Sequence, residues 1–176
     1  MILSTDLILR HPLWERADLE LCSNNGLGIF NRIVDVYVLA CAIGIKKDKA
    51  ITDGEESETI VRTIGRNTYM SATNTDLKML LDFMLQNALI HSQLINFDMD
   101  ERLKLAFNPD YTTPKLSAAG FLNGFANYGL EKIFEKVKSG SSLITITDLF
   151  SYFNSLSTTN IEDILENIIL GEIGRN

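Results

Sequence analysis

Residues 74–91 read NTDLKMLLDFMLQNALIH, and this stretch decides the fold class. Leu77, Leu80, Leu81, Met84, Leu85, Ala88 and Leu89 recur at three- and four-residue intervals, which places them along one side of an α-helix. Asn74 or Thr75 stands in front as a capping residue. The run is too long for a strand and predicts a helix from there to about His91.

A second stretch, IFNRIVDVYVLACAIG at 29–44, begins with the amphipathic spacing of Ile29, Phe30, Ile33, Val34 and Tyr37 and becomes apolar on all sides from Val38 to Ile43. A helix that is apolar all round is a buried one. Ile29–Ile43 is therefore the expected central helix, with Gly44 as its left-handed C-cap.

Outward from these two, Pro12 opens a first helix through Leu13, Trp14, Ala17, Leu19 and Leu21, ending at Asn24-Asn25-Gly26. The β-branched run Thr59–Ile64 predicts a short strand. Asp98 and Glu101 form a capping box for a helix through Leu103 and Phe107, closed by Asn108-Pro109-Asp110. After Pro114, Leu116 to Val137 makes one long helix or two abutting at Gly129, ending at Ser139-Gly140. Two last helices are expected at about 147–156 and 159–170, the second opened by Thr159 and Glu162. The expected fold is mainly α, a compact bundle of six or seven helices with one short strand or hairpin around residues 59–70. It forms a single domain, 1–176, in which 141–176 reads as a C-terminal helical addition.

Composition agrees with this class. The chain has 176 residues, 45% hydrophobic and 22% charged, enough to bury a core without metals or disulfides. Its net charge of −7 argues against a surface that traps nucleic acid everywhere. Residues 141–176 carry five carboxylates against Arg175 alone. Cys22 and Cys41 form neither a disulfide framework nor a C-x-x-C pair, and neither has a basic neighbour to activate it, so both read as structural. The first twelve residues lack the basic start and apolar run of a signal peptide, and Val36–Ile45 is half a membrane span, so a cytoplasmic, non-membrane protein is expected.

Chemistry-bearing patterns are few. His11 and His91 are the only histidines and lack metal-ligand spacing; His91 suits the negative end of its helix dipole. Asp98, Asp100, Glu101 and Asp110 form the densest carboxylate group, and a nuclease-like metal centre on Asp98, Asp100 and Asp110 is the lowest-ranked reading, since first-turn carboxylates serve the helix itself. Gly26-Leu27-Gly28 lacks the third glycine of a dinucleotide loop, and no nucleophile elbow is present. No catalytic residue, metal or cofactor is assigned. Lys46, Lys47 and Lys49 with Arg62 and Arg66 are the candidate contacts to DNA or to an acidic partner, because clustered cations address phosphates and carboxylates alike. Phe150, Tyr152 and Phe153 are candidate contacts to a protein partner, since they flank Leu149 on a short helix whose apolar residues point in several directions.

Two segments carry a family resemblance: Ile29-Phe30 leading through Asp35-Val36-Tyr37-Val38-Leu39-Ala40-Cys41-Ala42-Ile43-Gly44, and Asn123-Gly124-Phe125-Ala126-Asn127-Tyr128-Gly129-Leu130-Glu131. They resemble the small proteins associated with the DNA phosphorothioation (Dnd) system, in which an aromatic-rich helix ends in an Ala-Ala-x-Gly-like turn and a later helix carries a Tyr-Ala-Asn-Gly-Gly-Leu-like segment. Tyr128 stands where that segment has its first glycine. The likeness covers about a third of the chain and does not extend beyond Gly140. It implies a non-catalytic accessory subunit of a bacterial or archaeal DNA-modification or anti-phage defence assembly. Larger protein subunits would be its partners, with DNA met directly or through the complex, and self-association is compatible with the role.

Overall fold

The computed structural model describes residues 3–22, 30–52, 59–71 and 74–137. Met1–Lys132 form one compact unit and Ile133–Asn176 a second, of which the described part is the end of one helix. The predicted helices at 147–156 and 159–170, with Phe150, Tyr152 and Phe153, lie outside the described residues, as do Asn24-Asn25-Gly26 and Ser139-Gly140.

The elements follow in the order β1 (Leu7–Leu9), α1 (Leu13–Leu21), α2 (Ile33–Lys47), β2 (Arg62–Ile64), α3 (Arg66–Met70), α4 (Thr75–His91), α5 (Met99–Phe107) and α6 (Ala118–Val137). The fold is mainly helical with one small sheet, as the periodicities predict. The expected strand is present, and its antiparallel partner comes from the N-terminus: Leu7, Ile8 and Leu9 pair with Ile64, Thr63 and Arg62. β1 buries Leu7 and Leu9 and leaves Ile8 partly exposed, the alternation of a half-buried strand.

α2 is the central helix, and two details differ from expectation. It starts at Ile33 rather than Ile29, with Arg32 at the N-cap. It also runs past Gly44 to Lys47, and the left-handed C-cap is Asp48, at φ 48°, whose N–H reaches the carbonyls of Gly44 and Ile45. Lys46 and Lys47 favour this extension, because cations are stabilised at a helix C-terminus.

Gly44 is needed for packing instead. A Cβ on it would stand 2.2 Å from the Phe125 carbonyl oxygen, and one on Gly129 would stand 1.9 Å from that of Ala40. α2 and α6 thus meet backbone to backbone at two glycines. Gly129 is not a joint, for α6 is one continuous helix through it.

Two asparagines one turn apart on α6 complete the contact. Trp14 Nε1 donates to Asn127 Oδ1 at 2.8 Å, and Asn127 Nδ2 donates to the Ile51 carbonyl at 3.1 Å. Tyr37 donates to Asn123 Oδ1 at 3.0 Å, and Asn123 Nδ2 donates to the Ile8 carbonyl at 2.8 Å. Positions i and i+4 face one way on a helix, so this single face of α6 ties down β1, α1, α2 and the segment after α2. Both amides are buried with each end engaged, which removes the penalty that an unpaired buried amide carries. The rings of Trp14 and Tyr37 lie 5.8 Å apart beside them.

α4 buries Leu81, Met84, Leu85, Ala88 and Leu89. Asn74 does not cap it by side chain; its amide donates to the Thr68 carbonyl and so fixes the connection from α3. α5 has the predicted cap, with Asp98 Oδ1 accepting from the Glu101 N–H at 2.8 Å. Between α4 and α5 the chain wraps around Arg102, whose guanidinium donates to the carbonyls of Ile90, Ser92, Ile95 and Phe97 at 2.6–3.2 Å. The guanidinium thereby serves as the template of that connection, fixing α5 against the end of α4.

Candidate interaction surface

α4 and α5 pack on one another, yet both keep large apolar side chains in solvent. On α4, Met79, Leu80 and Phe83 are exposed, Phe83 at 63%. On α5, Met99, Leu103 and Phe107 are exposed at 54%, 41% and 62%. Their spacing of four residues lines them along one face of the helix. Scattered exposed leucines are ordinary on a protein surface; aromatic and methionine side chains grouped on adjoining helices are the composition of an interface core. Leu80 belongs to the apolar repeat expected to face the interior, yet it is exposed. The available signal was that α4 has more apolar residues than one core-facing stripe can hold.

The five predicted cations are not gathered in one place. Lys46, Lys47 and Lys49 are exposed around the C-terminus of α2, which is held to the C-terminal end of α4 where Asp48 Oδ2 accepts from the Gln93 N–H at 2.9 Å. Arg62 and Arg66 lie on β2 and α3, which lead into the N-terminal end of α4. A helix of that length spans about 24 Å. Arg62 is also paired with Asp18, and Arg66 begins α3 with its N–H donating to Asp6 at 2.7 Å.

The carboxylates are similarly dispersed in role. Asp98 is occupied as the cap of α5, Asp100 and Glu101 occupy its first turn, and Asp110 sits in the turn beyond its other end. Among the described residues no three His, Cys, Asp or Glu side chains are grouped to hold a metal ion. His91 is exposed at the end of α4, and His11 Nε2 lies 3.2 Å from Glu131 Oε1, with the Leu13 N–H directed at its other nitrogen. The Leu13 contact selects the tautomer that donates to Glu131.

Both cysteines are buried and free. Burial pushes the Cys41 thiol up to about 12, partly offset by a hydrogen bond with Tyr37, and raises Cys22 as well, where Asp35 adds to the effect. Neither is poised as a nucleophile at neutral pH.

A cleft of about 410 Å³ opens between the segment after α2, the α4–α5 connection and the start of α6. Its walls are chiefly apolar, from Leu94, Ile95, Leu116 and Phe121, and Lys115 is its one ionisable lining residue among those described. Among the described residues it offers no acid–base pair. Among the described residues no helix is long and apolar enough to cross a membrane.

Comparison with family models, with curated proteins and with solved structures gives no match.

Proposed function

We propose that this protein is a non-catalytic interaction subunit that docks a partner protein on the apolar face of α4 and α5. The observation that carries the reading is the exposure of Phe83 and Phe107, at 63% and 62%, amid further exposed methionines and leucines. Aromatic side chains supply the dominant share of binding energy when a partner desolvates them. Phe150, Tyr152 and Phe153, expected as partner contacts, lie outside the described residues, and the reading rests on α4 and α5 instead.

The assembly it joins is read as a prokaryotic DNA-modification or anti-phage defence complex in the cytoplasm. Support comes from the resemblance of residues 29–44 and 123–131 to Dnd-associated proteins. Those residues build the α2–α6 contact, so the likeness concerns the scaffold and leaves the docking face free to differ. A second reading, direct DNA contact, is favoured by the exposure of Lys46, Lys47 and Lys49 at one helix end.

The test is purification of the tagged full chain from its native host, beside Phe83→Glu, a surface change expected to alter stability by less than about 0.5 kcal/mol. The wild type should retain a DNA-processing protein and the variant should lose it while melting as before. Retention by both, or partners drawn from metabolism alone, would overturn the reading.

A further inference from the structure

One glycine of α6 is not explained by the packing of this chain. Of the three glycines in the helix, Gly129 is pressed against the Ala40 carbonyl, and a Cβ on Gly124 would stand 3.1 Å from that of Ala50. Gly120 has no such neighbour among the described residues: its Cβ would meet only the Ser117 side chain, at 3.5 Å, and its helical backbone needs no left-handed φ. Glycine weakens a helix relative to alanine, and its other use is to let something approach the backbone closely, whether the chain itself or a ligand. Gly120 lines the cleft of about 410 Å³ at the start of α6, so the approach open to it is from within that cleft.

The lining of the cleft states what chemistry would enter. Leu94, Ile95, Leu116 and Phe121 offer apolar contact, and Leu94 is left 51% exposed. The volume falls in the lower part of the roughly 300–1,000 Å³ typical of small-ligand sites. Lys115 is the one ionisable lining residue among those described, and the first turn of α6 holds no acidic residue, so the charge that complements the cleft is a single negative one. We propose that the cleft binds a small amphipathic monocarboxylate of the medium-chain fatty-acid class. Its chain lies on the apolar walls and over the bare backbone at Gly120, and its carboxylate accepts from the Lys115 ammonium. Phe83 and Phe107 do not line the cleft, so this site is separate from docking on α4 and α5, and its failure would leave that reading standing.

Titration of the full chain with decanoate, followed by its NMR amide and methyl shifts, tests the site. Saturable shifts are expected at Leu94, Ile95, Leu116 and Phe121, with none at Phe83 or Phe107. Lys115→Glu, a change to an exposed side chain, should weaken binding roughly fivefold. Gly120→Leu puts a side chain into the space over the bare backbone and should abolish binding while melting no lower than the wild type. The neutral 1-decanol should bind more weakly than decanoate, and decyltrimethylammonium should not bind at all. Absence of saturation, equal binding of the three amphiphiles, shifts centred on Phe83 and Phe107, or affinity indifferent to both substitutions would overturn the proposal.

Discussion

Gly129 of α6 lies against the carbonyl of Ala40 in α2, so close that a Cβ would stand 1.9 Å from that oxygen. Gly44 makes the reciprocal approach to Phe125, at 2.2 Å. Helix propensity alone says that Gly→Ala in a helix gains about 1 kcal/mol. Here the neighbour is backbone, which cannot yield without displacing a whole helix. Gly44→Ala and Gly129→Ala should each lose at least about 2 kcal/mol. Gly120→Ala, whose Cβ would meet only the Ser117 side chain at 3.5 Å, should instead be neutral or gain up to about 1 kcal/mol. Thermal melts of the three variants check the opposite signs.

Asn127 is the next sensitive point, because it engages Trp14 on one side and Ile51 on the other. Asn127→Leu leaves the indole N–H without its acceptor in a buried site and should cost about 2–4 kcal/mol. Trp14 is the only tryptophan, so its emission reports the change directly. An unchanged spectrum and melting temperature would show that the amide is dispensable.

Much of this architecture was legible in the sequence, and the failures have physical causes. The period of Leu77 to Leu89 gave α4 its bounds, and Asp98 marked the start of α5 because a cap is a local interaction. Gly44 was misread because local rules see a glycine after an apolar run as a terminus, whereas its role is set by Phe125, far along the chain. β1 escaped notice because three residues carry too little periodicity, and its partner is remote. Leu80 stands in the core-facing repeat of α4 and is exposed all the same, because hydrophobicity reports a preference for burial without saying whether this chain or another supplies the cover.

Alkaline pH should erode stability in two overlapping steps. Burial pushes Cys41 from the ordinary thiol value of 9.0 up to about 12. Burial, with Asp6 and Asp82 adding and Arg66 opposing, pushes Tyr69 from 10.0 up to about 12. Both groups hold their protons more tightly when folded, so their contributions are complete below the unfolded values and are lost as pH rises toward 12. Urea melts at pH 8, 9.5 and 11 should show this decline, with Cys41→Ala flattening the earlier part and Tyr69→Phe the later. Identical pH profiles for wild type and both variants would contradict it.

Direct DNA binding should be feeble. Arg62, paired to Asp18, and Arg66 lie at the other end of α4, so the exposed cations that stand together are Lys46, Lys47 and Lys49. Three phosphate contacts limit the slope of log K against log salt to about −2.7. In a chain of net charge −7, binding to duplex DNA should vanish near physiological salt. Tight binding that Lys46→Glu with Lys47→Glu abolishes would favour the DNA reading over the protein one.

Hydrogen exchange of the full chain, with and without the protein that co-purifies with it from the host, tests docking on α4 and α5 most directly. Added protection is predicted in residues 79–83 and 99–107, while the α2 terminus around Lys46–Lys49 exchanges unchanged. Protection at the lysines with none on α4 or α5 would contradict the account.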